Sequence, residues 1–191
     1  MSDKGKGKQN YNLLIKSEIL RVLITFIILQ FLSIPFFIKI LLIMFTEILD
    51  CTPSLKYGPL FTPDTSICGT TNYQRIDKIT DIIIYFLILV YIINSSILSP
   101  QYNYFIIFLF IVRLIGTYFF LEKRKGIFLC YFPNFFLETS LALMVIHFYP
   151  IFRKYTVIII ICILILKVCQ EFYMHYENKN ENEKLRNKRY Y

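Results

Sequence analysis

The chain has 191 residues, of which 56% are apolar and 18% charged, and its mean hydropathy is +0.53. Soluble domains are about 45–50% apolar and about 25% charged, and a single core of this size could not hide the excess. The composition excludes a conventional globular enzyme and points to a lipid bilayer as solvent. The net charge of +8 comes largely from tails and short connections beside apolar runs. That placement fits anionic lipid headgroups and not nucleic acid.

Residues 1–17 are polar and basic and read as an N-terminal tail. They do not read as a signal peptide, because the apolar stretch behind them is too long and no small-residue cleavage site closes it. An all-α, multi-pass helical membrane domain is expected over 18–172, with about five transmembrane helices. The first, about 21–46, is long and should be kinked at Pro35, which removes a backbone donor and clashes with the preceding turn. A polar connection follows over 47–78. Further spans are expected at about 79–98, 102–121, 127–149 and 155–169, with a charged C-terminal tail over 173–191. The apolar runs are continuous, whereas a β-barrel would show alternation in segments of about 10 residues.

Five crossings put most basic residues on the face that holds the 47–78 loop, the 122–126 turn and the C-terminal tail. The positive-inside rule makes that face cytoplasmic, and the basic N-terminal tail opposes it. A hairpin at Pro35 removes the conflict. Lys4, Lys6, Lys8, Lys16 and Arg21 then join the basic face and leave Arg153 and Lys154 opposite. The halves of such a hairpin, about 11–14 residues each, are too short to cross a 30 Å core separately.

The five cysteines show no C-x-x-C and no zinc spacing, so no metal site is read from them. Cys130, Cys162 and Cys169 lie in apolar runs and read as small hydrophobic residues. Cys51 and Cys68 share one loop and are a possible disulfide if that loop faces an oxidising compartment. Asn94-Ser95-Ser96 is a formal glycosylation sequon, set close to two spans.

Helical rise places Lys39 about 10 Å, Arg113 about 12 Å and Glu138 about 16 Å below the same face. Arg113 and Glu138, on consecutive antiparallel helices, are the natural ion pair, with Asn134 one turn away and Asp81 and Lys39 extending the cluster. Glu47 with Asp50, and Asp77 with Asp81, each share a helix face at the interface. Two readings follow from this cluster of Lys39, Asp81, Arg113, Asn134 and Glu138. It is structural, fixing helix register, or it is an ion pathway. His147 reads as an interfacial histidine. The aromatic pairs 119–120, 131–132 and 135–136 read as lipid-facing belts or packing.

Nucleotide, hydrolase and zinc-protease motifs are absent from the sequence, and no cofactor is expected. The expected function is that of a structural or accessory subunit, or a scaffold, of a membrane assembly. Its expected partners are the bilayer, anionic headgroups at the basic tails, and other membrane subunits or further copies of the chain. The alternatives are a small proton or cation channel or transporter and, third, a membrane-embedded lipid-modifying enzyme.

Overall fold

A computed structural model describes residues 3–49, 71–123 and 127–172, and among them every regular element is helical. The chain divides into two compact units, Met1–Ile97 and Leu98–Tyr191. Asp50, Cys51, Cys68 and the 173–191 tail lie outside the described residues, so the expected bridge and the Glu47–Asp50 face fall there too.

The first unit is built from α1 (Asp3–Phe31), α2 (Phe36–Leu49) and α3 (Thr71–Ser95). The segment expected as a polar tail is already helical from Asp3. The stretch expected as one kinked span is instead two helices folded back on each other. Ten residues of continuous helix would separate Lys39 from Leu29 by about 15 Å. Lys39 Nζ nevertheless donates to the Leu29 carbonyl at 2.7 Å. Pro35 is the reason. It has no N–H to give and disfavours a helical residue before it, so the helix stops before it and restarts at Phe36. The hairpin alternative describes this region, and α2, at about 21 Å, is shorter than a hydrocarbon core.

The third helix runs parallel to α1 and antiparallel to α2. Its first turns meet Arg21 of α1, and its far end meets the hairpin tip, where Tyr91 stacks on Phe36 with ring centres 4.7 Å apart. The buried residues Ile84, Tyr85, Ile88, Leu89 and Ile92 form a stripe on this helix at i, i+1, i+4, i+5 and i+8. It starts well before the apolar run at 79, taking in residues expected as loop. It ends where Ser96 takes a left-handed backbone, φ 50°, a common way to close a helix.

The second unit contains α4 (Pro100–Lys123), α5 (Ile127–Tyr131), α6 (Phe136–Phe148), a 3₁₀ helix (Pro150–Tyr155) and α7 (Thr156–Phe172). The expected span over 127–149 is therefore broken, and Pro133 breaks it for the same reasons as Pro35. The α5–α6 run lies antiparallel to α4. Phe119 stacks on Phe128, Gly116 faces Phe132, and Phe110 meets Phe136 edge-on. The central helix of the unit is α6, buried at Phe136, Leu137, Thr139, Ser140, Leu143, Met144 and Ile146. Most of α7 is exposed and apolar, including Val157, Ile158, Ile165 and Leu166.

Among the described residues one helix, Pro100–Lys123, is long and apolar enough to cross a membrane, and the apolar Phe136–Phe148 is shorter. Its buried stripe, from Ile106 to Phe120, leaves Phe108, Ile111, Leu114, Ile115 and Tyr118 outward.

Candidate functional site

In the first unit the buried charges converge on Arg21, whose side chain is 1% exposed. Its Nη1 donates to Glu18 Oε2 at 2.9 Å and to Asp77 Oδ1 at 3.1 Å, and its Nη2 to Asp81 Oδ1 at 3.2 Å. Lys78 Nζ donates to the other oxygens of the same aspartates, at 2.6 Å to Asp77 and 2.8 Å to Asp81. Asp77 and Asp81 thus bridge the two cations in a closed ring of alternating charge. The i, i+4 spacing of the aspartates puts both on the face toward α1, and the i, i+3 spacing of Glu18 and Arg21 does the same from the other side.

Glu47 joins this end of the unit, because the hairpin returns α2 to it. Its Oε1 is buried without a donor, while its carboxyl bonds Tyr85 and feels the Asp81 charge. Burial, then Asp81, pushes Glu47 up to about 8 against the pull of Arg21 and Lys78. The same two causes raise Asp77 above the usual carboxylate range. Glu47 follows the first apolar run and Asp77 precedes the second, so both sit at their ends. The group as a whole sets Glu18, Glu47, Asp77 and Asp81 against Arg21 and Lys78.

Sequence reasoning found Asp77, Asp81 and Glu47 but missed Glu18, Arg21 and Lys78. The spacing of Glu18 and Arg21 was a usable signal. A single crossing from 21 to 46 assigned Arg21 to the opposite face, and that concealed it.

Lys39 stands apart from this ring, at the hairpin tip. It is buried, donates to Leu29 O at 2.7 Å and Tyr91 Oη at 3.0 Å, and lies 4.7 Å from the Tyr91 ring centre. The arrangement caps one C-terminal carbonyl of α1, that of Leu29, with a cation, which the helix dipole favours.

The expected Arg113–Glu138 pair does not form in the second unit. Arg113, 3% exposed, sends Nη1 to the Phe132 carbonyl at 3.4 Å, at the α5–α6 break. Glu138 instead pairs with Lys167 of α7 at 2.5 Å. The break shifts the register: it sets the Phe132 carbonyl opposite Arg113 and turns Glu138, in the first turn of α6, toward α7. Asn134 is buried in the break itself. Beyond Glu138 a cavity of about 350 Å³ runs between α6 and α7, lined by Leu141, Ala142, Val145, Ile146, Ile159 and Ile163.

Among the other expected residues, His147 is exposed and meets Phe148 edge-on. Phe120 and Phe136 are buried while Tyr131 is exposed, so the aromatic pairs divide between packing and surface. Cys162 and Cys169 are exposed free thiols on α7.

Among the described residues the fold is all-helical, and one helix is long and apolar enough to cross a membrane. No family model matches the chain, and comparison with curated proteins and with solved structures finds no similar one.

Proposed function

We propose that this chain is a multi-pass helical membrane protein acting as a structural or accessory subunit of a membrane assembly. The observation that carries the reading is the closed ring of Arg21, Asp77, Lys78 and Asp81, in which each charge is held by two of opposite sign. Charges compensated in this way hold helices in register. The Glu138–Lys167 pair does the same between α6 and α7. The outward apolar faces of α4 and α7 then serve lipid or neighbouring subunits, and the basic tails serve anionic headgroups.

Purification in a mild detergent, followed by native mass spectrometry, tests the reading. A partner or a further copy at fixed stoichiometry is the expected result. A monodisperse monomer from every gentle extraction would overturn it.

A proton or cation pathway is the second reading. What favours it is the surplus of acids among the described residues of the cluster, where Glu18, Glu47, Asp77 and Asp81 meet Arg21 and Lys78. Proton flux into liposomes that Asp81→Asn abolishes, with the fold retained, would promote it above the first.

A further inference from the structure

We propose that the α5–α6 break is a binding site for an oxyanion, with Arg113 as its anchor. The proposal concerns a ligand, and it stands whether or not the chain is a subunit of an assembly.

A buried guanidinium needs compensation, since an isolated charge away from water is among the costliest groups a protein can hold. Arg21 and Lys39 show how this chain meets that need, the first with three carboxylates and the second with two short hydrogen bonds and a ring face. Arg113 has neither. It is 3% exposed, and a single neutral carbonyl at 3.4 Å takes Nη1. Nε is buried with no acceptor, and Nη2 makes no hydrogen bond. The Nε–Nη2 edge is the planar fork that carboxylates and phosphates engage with two parallel hydrogen bonds.

Two further features of this region favour an anion. Thr117 lies one helical turn beyond Arg113 in the same buried stripe of α4, and its hydroxyl is buried without a partner. The first turn of α6 opens from the break with no side-chain cap, and the positive end of its helix dipole favours an anion there. Glu138 in that turn pairs with Lys167 through Oε1, so the pair carries no net charge, while its Oε2 is buried without a donor. The ligand chemistry is therefore a phosphate- or carboxylate-type oxyanion, free or carried on a lipid headgroup.

The test is thermal unfolding of the full chain in neutral-detergent micelles, in two arms. One titrates sodium phosphate against sodium chloride at constant ionic strength. The other adds phosphatidylglycerol to the micelles. A rise in melting temperature in either arm is expected, and a rise in the lipid arm alone names the headgroup as the source. Arg113→Gln, which keeps a donor for the Phe132 carbonyl, should raise the half-saturating concentration roughly tenfold or more. Thr117→Val should raise it several-fold. No rise in either arm, or the same titration for parent and Arg113→Gln, overturns the proposal. Should Arg113→Gln fail to fold, an unchanged half-saturation in Thr117→Val overturns it instead.

Discussion

Gly116 sits where α4 comes closest to the α5–α6 break. A Cβ built there would overlap Phe132 Cβ and lie 3.3 Å from the Phe132 carbonyl oxygen. That backbone cannot retreat without moving the oxygen that Arg113 holds. Gly116→Ala should therefore lower stability by roughly 1–3 kcal/mol, as overpacking does. The gain in helix propensity, about 1 kcal/mol, offsets only part of this. A melting temperature equal to or above the parent's in detergent would contradict the account. Lys39 shows the opposite case at the scale of one residue: its charge is buried, yet every contact it makes is short.

At the scale of elements the two units solve one problem alike. A proline interrupts an apolar run, which leaves backbone carbonyls without their helical donors. Lys39 serves the Leu29 carbonyl at the first break and Arg113 the Phe132 carbonyl at the second. Away from water an orphan carbonyl costs more than a hydrogen bond returns, so each break requires a buried donor. The α1–α3 contact rests on the same economy of charge. Arg21→Met leaves Glu18, Asp77 and Asp81 buried with Lys78 near only two of them, and should cost about 3–5 kcal/mol. Asp81→Leu combined with it should cost clearly less than the sum of the single changes, because the two residues share one ring. Strict additivity in a double-mutant cycle would show that the ring is not a unit.

For the whole molecule, the balance of carboxylates ties stability to pH. Glu47 holds its proton up to about pH 8 in the folded state, against 4.5 as its ordinary value. A raised carboxyl pKa contributes stability that is complete below the ordinary value and is lost as pH rises through the folded one. Thermal stability should accordingly fall as pH rises from about 4.5 to about 8. Glu47→Gln, uncharged throughout, should flatten that fall. Parallel pH profiles for parent and variant would show that other groups govern it. Asp77, raised for the same reasons, adds to the trend in the same direction.

Composition and the length of the apolar runs were enough to read an all-helical fold and to place α4 and α7, because burial of apolar surface is a local property of a run. The run at 102–121 became α4 with two residues added at each end, and the run at 155–169 became α7. Pro35 was legible as an interruption. Pro133 carried the same signal, and the continuous apolar run around it masked it. Whether a proline kinks a helix or folds it back is decided by what receives the freed carbonyls, and those donors come from other parts of the fold. Spacing could name Asp77 and Asp81 as neighbours on one face. It could not give them Arg21, because a charge finds its partner through space. The register of α5 and α6, which separates Arg113 from Glu138, and the hairpin, which joins Arg21 to Asp81, were decided only by tertiary structure. Pairing across helices depends on chain direction and on breaks of a few residues, and a run of apolar residues records neither.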